Sequence, residues 1–191
     1  PNTRRPEHNA RIGKDRSELI VNDWAVGPVV NEEHLQNKVV LLNFWALWCE
    51  PSWTTMKHLD AWQKQYADDG LVVISLSAYD GHGWDRQTGR SHRLSGRSKA
   101  DELAAVVAFA EDHRVKHSMG VVSSREQWRA AYAVEAMPQL VLIDRDGKVQ
   151  TIRVGPMEDP QEFEKLLRAS LREVPGLTLP DRFNPEKSRF E

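Results

Sequence analysis

The chain has 191 residues, 40% apolar and 28% charged, with a net charge of −2. That is enough apolar material for one packed domain with extensions, and it gives no general reason to expect nucleic acid or a membrane surface as partner. The single cysteine, Cys49, excludes an internal disulfide framework, so the redox compartment cannot be read from disulfide content. No run approaches the roughly 18 continuous apolar residues of a membrane span. No signal peptide follows Pro1, and the absence of Met there leaves room for a signal or membrane tether removed from the chain.

Residues 1–17 carry charges and prolines without apolar period, and predict a flexible lead. Leu19, Ile20, Val21 and Trp24 predict a short edge strand, and 31–35 a capped helical turn. The run from Val39 to Trp45 is unbroken and apolar apart from Asn43, as expected of a buried central strand. It ends near Cys49, and Pro51 follows where the first turn of a helix has no use for an N–H. Trp53, Met56, Leu59, Trp62 and Tyr66 then recur at helical spacing. Cys49 is thus expected at a strand-to-helix junction, partly exposed, where the positive end of the helix dipole stabilises a thiolate. Gly70 stops the helix, and Leu71 to Leu76 predicts a second buried strand, parallel to the first.

Residues 80–99 break this pattern with glycines and with Arg86, Arg90, Arg93, Arg97 and Lys99. They predict a polar, basic insertion, read either as a solvated loop or as a flap that selects an anionic partner. A helix over 100–113, an extended segment over 117–122 and a short helix burying Trp128 and Tyr132 follow. Leu140 to Ile143 and Val149 to Val154 flank Asp144-Arg145-Asp146-Gly147, a hairpin signal. Phe163, Leu166, Leu167 and Leu171 mark a closing helix. Residues 174–191 hold several prolines and predict an extended tail.

Phe44-Trp45-Ala46-Leu47-Trp48-Cys49-Glu50-Pro51 resembles the active-site strand and turn of thioredoxin-like proteins, and Lys38 to Ser52 is most similar to TlpA-like (AhpC/TSA-related) thiol–disulfide oxidoreductases. Met137-Pro138-Gln139-Leu140-Val141-Leu142-Ile143-Asp144 resembles the family's cis-proline turn. The resemblance covers residues 18–173 and implies an α/β fold of thioredoxin type: a central mixed β-sheet with helices on both faces. It further implies thiol–disulfide exchange at Cys49, with Pro138 facing it and the Met137 backbone receiving an extended partner chain. Trp48, Glu50 and Pro51 would flank the partner, and Trp48 could form an apolar contact surface beside the thiol.

The family motif is Cys-x-x-Cys, whereas position 52 is serine. Ser52 either belongs to a monothiol relative or replaces a resolving cysteine to trap intermediates. The family's buried acid is also missing from two of its usual places, Asn43 and Thr55. Cys49 is therefore expected to form mixed disulfides with a protein or small-molecule thiol/disulfide partner and to need an external thiol for release. The resemblance alone suggests an extracytoplasmic site of action. No metal site is expected, because the histidines lack ligand spacing, and no cofactor is expected.

Two other readings remain open. One is a non-catalytic binding module of the same fold. The other is a one-cysteine peroxidase, disfavoured because its Pro-x-x-x-Thr-x-x-Cys pattern would need residues other than Leu42 and Ala46.

Overall fold

The computed structural model of the chain describes residues 5–96 and 98–172. In order it forms α1 (Pro6–Asn9), β1 (Asp23–Val26), a 3-10 turn (Glu33–Leu35), β2 (Val39–Phe44), α2 (Glu50–Tyr66), β3 (Leu71–Ala78), β4 (His82–Asp85), β5 (Arg90–Arg93), α3 (Lys99–His113), β6 (Ser118–Val122), α4 (Glu126–Tyr132), β7 (Gln139–Ile143), β8 (Val149–Val154) and α5 (Pro160–Arg172). The tail expected over 174–191 lies outside the described residues.

All six residues of β2 are buried, as its apolar run requires of a strand covered on both faces. It sits inside a six-stranded sheet of order β1-β6-β3-β2-β7-β8. β3 pairs with it in parallel, Val39 opposite Leu71 and Phe44 opposite Leu76, because α2 carries the chain back across the sheet. β7 pairs with it antiparallel, Asn43 opposite Leu140. The β7–β8 turn is tight: Asp144 Oδ1 accepts from the backbone N–H groups of Asp146 and Lys148, and Gly147 takes φ +77. The sheet is therefore mixed, as expected.

Side chains along β2 alternate between two cores. Val39, Leu41 and Trp45 pack with Met56, Leu59 and Trp62 of α2, Phe109 of α3 and Leu167 of α5. Val40, Leu42 and Phe44 pack on the other face with Trp128 and Tyr132 of α4. The second face is thinly covered, and a cavity of about 340 Å³ lies between Phe44, Trp128 and residues 16–20.

Two segments differ from their sequence reading. Residues 5–17, expected as a flexible lead, lie against the body. His8 is buried with Nε2 3.1 Å from the Ala133 carbonyl, Asp15 bridges to Lys148, and Arg16 pairs with Glu32 at 2.5 Å. These tethers are polar and distant in sequence, so no apolar period announced them. The basic insertion is not a plain loop either. β4 and β5 form an antiparallel hairpin, His82 opposite Arg93. It is anchored by Trp84, which meets Trp53 and Phe109 edge-on at 5.1 and 5.0 Å and donates its indole N–H to Asp112 at 2.7 Å.

Candidate active site

β2 ends at Phe44 and α2 begins at Glu50, so the short connection holds Trp48 and Cys49 at the end of the central strand. Cys49 is the residue that caps α2, and Pro51 lies in the helix's first turn. The Cys49 N–H donates to the Ala46 carbonyl at 3.0 Å, and the Ser52 N–H donates to the Cys49 carbonyl at 2.9 Å. These bonds fix the thiol at the start of the helix, the placement expected from sequence. Its exposure is lower than expected. Cys49 is only 8% exposed, because the loop before β7 closes over it.

That loop contains the Met137–Pro138 peptide bond, which is cis. Phe44 stands opposite Gln139 in the β2–β7 register, and this places the loop beside the cysteine. The Cys49 thiol points at the Met137 carbonyl oxygen, with Sγ 3.4 Å away. The structure thus brings together Cys49, Met137 and Pro138, which stand 88 and 89 positions apart in the chain. Trp48, Glu50 and Pro51 are exposed and form the rim. Ser52 is on the inner side, 0% exposed, and its Oγ has no hydrogen-bond partner among the described residues.

The rim carries residues that sequence reading missed. The Trp48 indole, 45% exposed, donates its N–H to Asp80 Oδ2 at 2.6 Å. Arg125 pairs with the same carboxylate oxygen, and its guanidinium carbon lies 5.5 Å from the Trp48 ring centroid. His82 Nδ1 approaches Asp80 Oδ1 at 3.1 Å. Asp80 therefore ties together Trp48, Arg125 and the base of the hairpin. Of the cations in the insertion, Arg93 donates to the Asp80 carbonyl at 3.2 Å, whereas Arg86 turns away to Glu111 and Asp112. Nothing in the local pattern of residues 80–99 marked Asp80 as this junction, because its partners come from two other segments.

Beneath the turn, a polar path runs through the interior. Asn43 Nδ2 donates to Ser75 Oγ at 3.0 Å, Ser75 Oγ lies 2.7 Å from His117 Nε2, and His117 Nδ1 lies 2.7 Å from Asp60 Oδ1. Burial pushes the Asp60 carboxyl up. Its hydrogen bond and charge interaction with His117, with the backbone N–H groups of Lys116 and His117, outweigh that and hold it below its ordinary value. The sequence signal for this path was slight: serines at 75 and 77 interrupt an otherwise apolar strand, and Asn43 stands opposite the first of them.

A parallel–antiparallel sheet with helices on both faces, and a cysteine at the start of a helix facing a cis-proline loop, define a thioredoxin-like protein. The model of the AhpC/TSA family matches residues 12–152, and the chain belongs to that family. It is similar to the thiol-disulfide oxidoreductase ResA of Bacillus thuringiensis (strain Al Hakam), 26% identical over 79% of this chain and 74% of that protein. It is also similar to the thioredoxin-like protein YneN of Bacillus subtilis (strain 168), 28% identical over 69% of this chain and 65% of that protein. Among solved structures, a thiol-disulfide isomerase from Corynebacterium glutamicum superposes with a TM-score of 0.64 at 19% identity, covering 83% of this chain and 97% of that one. A thiol:disulfide interchange protein from Chlorobium tepidum TLS superposes with a TM-score of 0.56 at 17% identity, covering 83% and 99%. Both bear out the fold.

Proposed function

We propose that this protein is a thiol–disulfide oxidoreductase that works through one nucleophilic cysteine, Cys49. The observation that carries the reading is the Cys49 sulfur held at the start of α2, 3.4 Å from the Met137 carbonyl of the cis-proline loop. The positive end of a helix favours the thiolate, which is the attacking species. An extended partner chain would pair with the Met137 backbone and displace the contact between the thiol and the Met137 carbonyl. The Cys49 thiolate then attacks one sulfur of the partner's disulfide. A new S–S bond forms, the old one breaks, and the departing sulfur leaves as a thiolate and takes a proton from solvent. A second, external thiol attacks the mixed disulfide and releases Cys49. The partners are proteins or small molecules bearing a disulfide or thiol. The name of the ResA relative supports this class of chemistry, and that of YneN supports the thioredoxin-like type. Action outside the cytoplasm is proposed on the TlpA-like resemblance. Among the described residues no helix is long and apolar enough to cross a membrane.

The peroxidase reading has less support. Leu42 and Ala46 stand where that pattern wants proline and threonine, and both are buried apolar residues with no hydroxyl to offer.

The test is mass spectrometry after mixing the chain with oxidised glutathione. A stable Cys49 adduct is expected, and Cys49→Ala should give none. Ser52→Cys adds a second sulfur at a fully buried position, and the buried Asn43 and Thr55, the places where the resembled family keeps an acid, carry no charge. It should resolve the adduct, but slowly, because neither of those two positions supplies a carboxylate to take the second thiol's proton. No adduct under any condition would remove the redox reading and leave a binding module.

A further inference from the structure

A chain of hydrogen bonds crosses the interior behind the Cys49 turn, and the proposed thiol chemistry does not use it. Asp60 keeps a 23% exposed side chain at its outer end, while the His117 side chain is 0% exposed. Ser75 and Asn43 are likewise 0% exposed. The order of donors is set by the outer end. The Asp60 carboxylate already accepts from the Lys116 and His117 backbone N–H groups, so Nδ1 of His117 donates to it. Nε2 of a neutral ring then accepts from the Ser75 hydroxyl, and Ser75 Oγ accepts from Asn43 Nδ2. If the ring gains a proton, Nε2 becomes a donor. The Ser75 hydroxyl must then turn its hydrogen elsewhere, and Met56 Sδ of α2 stands 3.7 Å away. The same event changes the Asp60–His117 pair from one net negative charge to none.

The inner end of the chain reaches the active-site helix. Met56 Sδ also lies 3.8 Å from Asn43 Nδ2. On the same inner stripe of α2, ahead of Met56, are Ser52 and Thr55, 0% and 1% exposed. Asn43 Oδ1, Ser52 Oγ and Thr55 Oγ1 are buried and have no hydrogen-bond partner among the described residues. Polar atoms left this way inside a core are costly unless something polar reaches them. One of the three stands on β2 at the end of the hydrogen-bonded chain, and the other two share with Met56 the inner stripe of α2, the helix that Cys49 caps.

We infer that His117 is a positioning residue whose protonation, passed through Ser75 and Asn43, sets the pH dependence of Cys49 reactivity. The inference rests on Cys49 being the reactive group. The charged and titratable groups around His117 are few. α2 presents Asp60, and the chain before β6 presents the exposed Lys116. β3 and β2 present the uncharged Ser75 and Asn43. From the segment after β1, Gly27 approaches with no side chain: a Cβ there would stand 2.8 Å from the His117 carbonyl carbon. On the active-site turn itself, Glu50 follows Cys49 in the chain and is exposed.

The test is the rate of Cys49 alkylation by iodoacetamide against pH, from about pH 4 to pH 10, a readout that follows the thiolate alone. The chain as it stands is expected to depart from a single-ionisation curve, with a second inflection that changes the rate by about threefold. His117→Gln should remove that inflection, and Asp60→Asn should move it. Ser75→Ala changes little volume and leaves the Asp60–His117 pair intact; it too should remove the inflection if the signal runs through the hydroxyl. A merely structural role would lower the melting temperature of these variants and leave the shape of the curve alone. A single-ionisation curve for the unaltered chain, or an inflection that survives His117→Gln, overturns the inference. An inflection that survives Ser75→Ala overturns the route through Ser75 and Asn43. Alkylation needs no disulfide, so failure of the exchange reading would show separately, as absence of the glutathione adduct.

Discussion

At the scale of single residues, the site divides into a buried sulfur and an exposed indole, and one carboxylate holds the indole in place. Asp80 accepts from Trp48 at 2.6 Å, pairs with Arg125 and contacts His82 at 3.1 Å. Its removal leaves the indole N–H and the guanidinium without their shared partner. Loss of charge-assisted bonds at a half-buried position costs on the order of 1–2 kcal/mol. Trp48 neighbours the thiol in sequence but is not the nucleophile, so its placement matters most when the partner is large enough to lie against it. Asp80→Ala is therefore expected to slow exchange with a peptide disulfide by about tenfold, and to slow exchange with a small disulfide much less. Stopped-flow rates with the two substrates decide it. Equal slowing would mean that Asp80 acts on the sulfur and not on the contact surface. Asp80→Asn keeps an acceptor for the indole and should fall between the two.

At the scale of elements, the β4–β5 hairpin is joined to the body chiefly where β4 packs on α3, and its main apolar anchor there is Trp84. It is 8% exposed and packs against Trp53 and Phe109, while Gly81 at the hairpin's base donates its N–H to the buried Glu102 carboxylate at 2.7 Å. Trp84→Ala should destabilise the protein by about 3 kcal/mol, the usual cost of emptying an aromatic site in a core. Because the hairpin base also holds His82 against Asp80, the same change should alter Trp48 fluorescence. A loss below about 1 kcal/mol in urea unfolding would show that the hairpin is not part of the core. The contrast with β2 and α2 shows what a sequence can reveal. Val39 to Phe44 and the stripe Met56, Leu59, Trp62 and Tyr66 declare their elements because many apolar side chains repeat with one period. The turn at Cys49, Pro51 and Ser52 is legible for the same reason, being local. The hairpin depends on one tryptophan among polar residues, so its period is lost. Asp80 with Trp48 and Arg125, or Asp60 with His117, are single pairings between residues 32 to 57 positions apart. No periodicity encodes such pairings; they exist only after the sheet has set the register.

At the scale of the whole molecule, the titrating groups bound the pH range in which the fold is most stable. On the acid side Asp60 is held below its ordinary value of 3.8, and Glu32, paired with Arg16, below 4.5. A lowered carboxyl contributes stability above its unfolded value and loses it as the pH falls through the folded one. The loss therefore begins near pH 4 and deepens below it. On the alkaline side Tyr79 is raised above its ordinary value of 10.0, first by burial and then by its hydrogen bond to Asp23 at 2.7 Å. Tyr66 and Tyr132 are also raised, again first by burial. A raised group contributes stability that is fully present below its unfolded value and is lost as the pH climbs toward the folded one. Burial, and then the charge of Lys57, hold His58 below its ordinary value of 6.5, so a first small loss on the acid side starts as the pH falls below that value. The urea midpoint should thus be flat between about pH 7 and 9 and fall on both sides, gently at first on the acid side. Tyr79→Phe cannot ionise, so its midpoint should be lower on the plateau by the equivalent of about 1 kcal/mol, the worth of one hydrogen bond, yet decline less steeply above pH 10. Asp60→Asn should likewise flatten the acid limb without touching the alkaline one. If Tyr79→Phe falls as steeply as the unaltered chain above pH 10, the alkaline limit belongs to Tyr66, Tyr132 or deprotonating lysines, and the Tyr79–Asp23 contact does not set it.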